Sequence, residues 1–483
     1  MNPITLPEGA SSGAMSVNEV AELRKALEAG YGSDVAELTG GGALRIQSLE
    51  KTMLSTIQEN KHFRLFNALA KSDATATVDE WTEQDSVGGF MGGSTNTETG
   101  IIPEATGSYA RRVGMVKYLM TRRQVSFVTT LQGAIAAAEA VEQQNGALQL
   151  LTDAEYLSFE GDSQVVPTEF DGIAALAADL NSADHVLDAE GKSLASINLV
   201  NVAASTIAGY GNFGTPTDIF LSQKTQADFD TGLDPAFRVP LPDVPGGGIS
   251  LGSPVKGIRT SWGDIANQPD VFIRDEAQQM PFEVVEGARF ADIAAANAAF
   301  KPKTLAAVAA AGGADSKFAA AHAGNYYYAV AGVNAKGQSK VLVSAQTAVA
   351  AGDAVTLTIT PSDGGTETGY VIYRGRKNGT NAVTDLRQMA RVPKAGAGNT
   401  TYVDKNRDIP GTTKAYILNM APGAMAINWR QLLPMLKFPL YPTNSAIVPW
   451  AQLLFGYLRI GKRRHHVVIK NIVTANAAWK PFE

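Results

Sequence analysis

Three observations predict an α+β protein interrupted by an all-β sandwich. Two long β-favouring segments of opposite charge precede a long Ala- and Leu-rich stretch. Helix and strand patterns then alternate from 196 to 230. Between Phe318 and Thr413, short alternating strands such as Tyr326–Val333, Ala354–Thr360 and Thr368–Arg374 recur between Gly-, Asn- and Asp-bearing turns, at the spacing of an Ig-like sandwich.

The chain begins with a segment, 1–72, read as an N-terminal arm and helix. It is polar and Gly-bearing as far as Gly42, with one helical stretch near Ser16–Ala29. Leu44, Leu49, Met53 and Ile57 then recur at helical spacing, which argues for an amphipathic helix lying on a surface. Residues 73–128 form a long hairpin whose legs are Ala74–Thr82 and Tyr109–Phe127, around a tip rich in Gly, Ser and Thr. One leg holds Asp73, Asp79, Glu80, Glu83 and Asp85 and no base; the other holds Arg111, Arg112, Lys117, Arg122 and Arg123 and no acid. These charges can pair leg to leg, or each leg can meet its opposite on a neighbouring copy. About 15 residues at ~3.3 Å each make an arm of roughly 50 Å. A two-stranded arm that long needs another surface to rest on.

Residues 129–317 open with a helix over Thr129–Glu160, with Gly146 as a kink or break. The turn-rich connection Glu155–Gly172 follows. A helix over Ser196–Ala208, a strand at Asp218–Leu221, a helix from Ser222 to Asp230 and the Gly- and Pro-rich Pro240–Pro254 come next. The Ala-rich linker Ala291–Gly313 leads into the sandwich at 318–413. Tyr416–Met420 resumes a strand of the first domain, and Trp429–Val473 reads as the helix and strand completing its core, so 414–483 is a return and the sandwich an insertion. Such an insert has adjacent ends and its own core, which makes it dispensable for the rest of the fold.

Composition narrows the function. The 483 residues include no Cys, which excludes disulfides, thiolate metal sites and a cysteine nucleophile. The formal charge of −6 lacks the basic excess of sequence-independent nucleic-acid binding. Only 18% of residues are charged, against roughly 25% in ordinary soluble domains, while 45% are hydrophobic. Copies of the chain itself are the simplest cover for such a surface. No basic n-region leads into an apolar segment within 1–23, and Pro439, Pro442 and Pro449 make the uncharged run Phe438–Leu458 a poor membrane-spanning helix. Both features point to a chain made in a cytoplasm, without a membrane.

The order of these elements resembles the tailed-bacteriophage major capsid protein, whose fold is shared with encapsulins and the herpesvirus capsid floor. The resemblance rests on the arm, the charged hairpin (the family's extended loop) and the long helix (its spine), closed by EYLSFEGD at Glu155–Asp162 and PTEFDG at Pro167–Gly172. TPTDIFLS at Thr215–Ser222 resembles the axial domain, and HHVVIKNIV at His465–Val473 the returning strand of the peripheral domain. It covers the chain outside the insert, which itself resembles the fibronectin or Ig-like domains decorating such shells through YYYAVAGVNAKGQS at Tyr326–Ser339 and GYVIYR at Gly369–Arg374.

The resemblance implies a phage major-capsid fold and a structural protein of the virion, made in the host bacterium. Hexamers and pentamers would form an icosahedral shell around packaged double-stranded DNA. Implied partners are other copies, a portal, a separately encoded scaffolding protein (the leader before the first core-like helix being short) and a decoration protein; no cofactor or metal is implied. Some relatives cross-link a hairpin lysine to a neighbour's asparagine, but Ser86–Ser108 contains no Lys. An encapsulin-type compartment and an Ig-domain surface adhesion protein are the rival readings.

Several motifs have plainer explanations. GYGNFG at Gly209–Gly214 satisfies a dinucleotide pattern but follows a helix and precedes a strand, the reverse of what that site needs. Asp404, Asn406 and Asp408 imitate half a calcium loop, yet Ile409 and Ala415 stand where Gly and a bidentate Glu are required. His465 and His466 follow Lys462, Arg463 and Arg464; adjacent strand residues face opposite ways, so the two imidazoles do not share an ion, and the basic run reads as an intersubunit contact. Asn378-Gly-Thr and Asn399-Thr-Thr read as turns. No His stands beside a recognisable nucleophile, so no residue is assigned to catalysis.

Overall fold

The computed structural model describes residues 59–131, 138–178, 183–194, 198–232, 255–282, 284–285, 300–396, 398–442 and 445–483. The expectations for Ser16–Ala29, for the helix through Leu44, Leu49, Met53 and Ile57, and for Pro240–Pro254 lie outside these residues.

Along the chain, α1 (Leu65–Ala68) leads to β1 (Lys71–Asp73), the hairpin strands β2 (Val78–Ser86) and β3 (Ser108–Met115), and β4 (Lys117–Ser126). Helices α2 (Phe127–Leu131), α3 (Ala138–Glu160) and α4 (Ile173–Ala178) follow, then β5 (Val186–Asp188), α5 (Asn198–Ala208), β6 (Asp218–Ser222) and α6 (Gln223–Gly232). Strands β7 (Gly257–Thr260), β8 (Gly263–Asp270), β9 (Val284–Val285) and β10 (Thr304–Ala311) lead into β11 (Gly324–Tyr326), β12 (Tyr328–Asn334), β13 (Gly337–Gln338), β14 (Leu342–Val343) and β15 (Thr347–Val349). Then come β16 (Asp353–Thr360), β17 (Gly369–Gly375), β18 (Leu386–Pro393), β19 (Thr400–Asp404) and β20 (Thr413–Leu418). The chain closes with β21 (Ile427–Pro439), β22 (Ile447–Ile460) and β23 (Val467–Ile472). This is the α+β class expected.

Helix α3 runs unbroken through Gly146, contrary to the expected kink. The glycine has a packing reason: a Cβ there would collide with the side chain of Gln452 on β22. One side of α3 packs on a four-stranded sheet of order β1-β21-β22-β4. Its C-terminal half supplies Leu150, Ala154, Leu157 and Phe159 to a core shared with Trp429, Leu454 and Leu458 of that sheet and with Phe220, Tyr416 and Leu418 of another. That second sheet has the order β5-β23-β20-β6-β8-β7. Its opposite face, with Ile219, Leu221, Ile417, Val467 and Ile469, lies under Val200, Ala203, Ala204 and Ile207 of α5. Both faces being covered explains the uninterrupted apolar reading of β6 and β20.

The helix expected within Trp429–Val473 is instead a long antiparallel pair, β21 and β22. Pro434 sits within the register irregularity between Leu433 and Leu436, where the ladder can spare an N–H. The strand expected from His465 begins at Val467, and Arg463–His465 is a 3₁₀ turn.

The all-β region is larger than 318–413 and is less separate than its sequence implies. Eight residues of the Ala-rich linker form β10, paired along its length with β16 in the sheet β10-β16-β19. Alanine is a poor strand former by itself; here the pairing partner decides. Facing this sheet is β18-β17-β12-β13-β9, with β14 beside β12. Tyr328, Val330, Tyr370 and Ile372 fill the space between the sheets. The other face of β12 and β17, with Ala329, Ala331, Val333, Val371 and Tyr373, packs on Val165 and Val166 of the connection after α3. The sandwich is therefore continuous with the body. The last residues strap it down: Trp479 Nε1 donates to the Asp385 carbonyl at 3.0 Å, and Phe482 stacks on His322 at 4.0 Å.

Candidate assembly surfaces

In the β2–β3 hairpin, Val78 pairs with Met115, Glu80 with Val113, Thr82 with Arg111 and Gln84 with Tyr109. Alternation puts these on one face, and Asp79, Trp81 and Glu83 with Gly114, Arg112 and Ala110 on the other. The second face is turned to the body. Asp79 accepts bonds from Arg430 Nε at 2.8 Å and Nη2 at 3.1 Å and from the Tyr457 hydroxyl at 2.7 Å. Burial pushes its carboxyl up, but these two donors outweigh it and leave it below its ordinary value. Trp81 lies under the Arg459 guanidinium, 5.9 Å away.

The expected division into an acidic and a basic leg does not survive folding. The basic leg bends at buried Val116, whose N–H donates to the Thr77 carbonyl, and β4 leaves the hairpin to pair with β22. Within the hairpin, Glu80 meets Arg111 at 2.9 Å and Glu83 meets Arg112 at 3.2 Å. Asp85 falls in the irregularity between Gln84 and Ser86, and Asp73 ends β1. Lys117 donates to the Pro167 carbonyl at 2.6 Å, Arg122 to Gln124 at 3.4 Å, and Arg123 to Glu142 at 3.3 Å and Gln149 at 2.6 Å. The pattern of charge was legible; the bend that divides it needs the β4–β22 pairing, between segments more than 300 residues apart.

What charge counting missed is the apolar content of the exposed hairpin face. Val78, Val113, Met115 and Tyr109 are all exposed there, and the tip presents Phe90, Met91, Ile101 and Ile102, with Ile101 94% exposed. The signal was present as alternation in Val113-Gly-Met115. A second exposed apolar set lies on the four-stranded sheet, where Tyr118 and Met120 of β4 stand near Leu436 and Phe438 of β21. Tyr118 packs edge-on against Phe455 at 4.9 Å.

The other singled-out groups are committed to the fold. Arg374, fully buried, donates to Asp404 at 2.6 Å and to Asn406 at 2.8 Å, so two members of the half calcium loop hold a guanidinium. His466 is buried, which pushes its imidazole down to about 3. His465, on the adjoining turn, meets Asn419 at 3.1 Å. GYGNFG is the loop between α5 and β6, as expected. Asn378 takes a left-handed turn conformation, φ 53°.

Exposed apolar faces of this kind are those of a protein that completes its surface by association. The comparisons agree. The major capsid protein of Staphylococcus phage S25-3 is 24% identical over 476 residues, covering 93% of this chain and 95% of that one; the major capsid protein of Staphylococcus phage K has the same identity and coverage. Among solved structures, the capsid of a native GTA particle superposes with a TM-score of 0.45 at 10% identity, covering 91% of this chain and 99% of that one. The SrpI encapsulin of Synechococcus elongatus PCC 7942 gives 0.42 at 8% identity, covering 90% and 95%. No family model matches. On the sequence likeness, which runs through both the body and the sandwich, the chain is a phage major capsid protein.

Proposed function

We propose that the chain assembles as hexamers and pentamers into an icosahedral shell around the double-stranded DNA of a tailed phage. The observation that carries this reading is likeness to phage major capsid proteins along 93% of the chain. The exposed apolar face of the hairpin supports it, because an arm with such a face needs a surface outside its own subunit. In this reading the hairpin lies on a neighbour, with Val78, Val113 and Met115 as its contact. Glu80, Arg111 and Arg122 are rim charges that favour one register, while Arg112 stays on the body-facing side with Glu83. Asp79, Lys117 and Arg123 hold the root of the arm. The Ig-like sandwich, inserted in sequence but packed on the body, forms the outer side of the shell wall. A portal, a separately encoded scaffold and a decoration protein are its partners, and synthesis takes place in the host cytoplasm.

Expression of the full chain with its co-encoded assembly factors, followed by electron microscopy, tests the reading. Closed shells containing DNA are expected. Small discrete oligomers under every assembly condition would overturn it, and closed shells packed with protein cargo would favour the encapsulin alternative.

A further inference from the structure

Glu155, on α3, is fully buried and faces Asp270 at the end of β8, itself 1% exposed. The two Glu155 oxygens accept the Leu65 and Phe66 N–H groups of α1, each at 2.7 Å. Asp270 Oδ1 accepts the Phe272 N–H at 2.8 Å, whereas Oδ2 is buried with no N–H or hydroxyl donor in reach. A buried carboxylate oxygen without a donor is costly, and two facing carboxylates without a cation between them are costlier. One proton removes both penalties: carried on Glu155 and donated to Asp270, it leaves the Glu155 oxygens able to accept from α1. The surroundings are consistent. Among the described residues Arg64 is the cation acting on Asp270, and it is exposed and donates to Gln268 at 3.2 Å; Lys71 sits over the Phe66 ring at 4.9 Å.

The groups being held are the seat of α1. Phe63 stacks on Phe272 at 5.1 Å, and Phe66 meets Trp429 edge-on at 5.1 Å. Glu155 thus fixes one side of this seat through α1, and Asp270 fixes the other through Phe272. We propose that Glu155 and Asp270 hold one proton between them, and that this shared proton latches the segment entering β1 onto helix α3, so that docking takes up a proton and loosens in alkali. If α1 departs, water reaches both groups and each ionises in its ordinary range. Burial, then the hydrogen bond and charge of Asp270, push the docked Glu155 up to about 9 from 4.5, against the pull of the two N–H groups. The docking constant therefore falls as pH rises through that window, by up to about tenfold per pH unit, one proton's worth.

The test uses the full chain and does not depend on shell assembly. Infrared difference spectra with ¹³C-carboxyl-labelled glutamate should show a protonated glutamic acid at pH 7, assigned by its loss in Glu155→Gln. In Asp270→Asn the new amide donates to an ionised Glu155, so the band should vanish while α1 stays docked. Hydrogen exchange of residues 63–70, corrected for intrinsic pH dependence, should show opening that rises toward tenfold per pH unit in the natural protein and stays flat in Asp270→Asn. Absence of the protonated band at pH 7 in the natural protein would overturn the proposal, as would the same pH slope in both proteins. Should Asp270→Asn fail to fold, the band and slope of the natural protein still decide.

Discussion

Single residues at the root of the hairpin carry more than their chemistry announces. Gly114 leaves room for the Tyr457 ring, whose hydroxyl is bonded to Asp79. Gly114→Ala pushes that ring off its partner and should cost about 2 kcal/mol, read from urea unfolding. Asp79→Asn keeps the shape and removes the charge that Arg430 requires, for a loss of about 2 kcal/mol. The sign with pH follows from its lowered carboxyl. Asp79 stabilises the fold above its ordinary value, about 3.9, and this contribution is lost as pH falls through the lowered one. The natural protein should therefore lose stability in acid more steeply than Asp79→Asn, which a pH series of denaturation midpoints will show. Arg391 matters at the other end of α3. It binds both oxygens of Glu169, at 3.0 and 2.9 Å, and donates to the Glu160 carbonyl where the helix ends. Arg391→Ala leaves Glu169 without its cation and should cost about 3–5 kcal/mol.

At the scale of elements, the hairpin separates two kinds of surface. Glu80–Arg111 is exposed on both sides, so breaking it costs no more than about 1 kcal/mol of fold stability. Reversal of Arg111 should then leave the subunit folded and alter the salt dependence of assembly more than its endpoint. Val113→Asp with Met115→Asp is the stronger test. Both side chains are exposed, so the circular dichroism and unfolding midpoint of the subunit should be unchanged, while particle yield in electron micrographs falls to background. Normal shells from the double variant would remove the hairpin face from the contact. The charge reading from sequence was sound as a pattern and incomplete as a structure, because Lys117, Arg122 and Arg123 answer to β22 and α3, and a leg-to-leg count has no way to register those partners.

At the scale of the whole molecule, the sandwich behaves as a third layer of the body. Replacement of Phe318–Thr413 by a Gly/Ser linker would strip β12 and β17 from Val165 and Val166, leave β10 without β16, and free the C-terminal strap. The expected product is aggregated or unfolded protein, measured by soluble yield and circular dichroism, in place of the undecorated subunit that a self-contained insert would give. A soluble, folded deletion protein would restore the independent-module view. With no Lys in Ser86–Ser108, denaturing electrophoresis of mature particles should show monomers without a ladder.

The amino-acid sequence alone determined the class, the hairpin ahead of a long helix, α5, β6 and α6, and the run of strands through 326–374, because each is written in local periodicity and turn chemistry. It also determined that the chain is short of charge for its apolar content, which suits association. The tertiary structure decided where local preference is weak or overruled. Ala-rich 304–311 became a strand because β16 lies beside it, and 427–460 became a strand pair because β4 and β1 flank it. Glu155 came to face Asp270 across a sequence separation that no spacing rule reaches. Such contacts are made by the packing of distant segments, and their energies exceed the few tenths of a kcal/mol by which a residue's own preference leans.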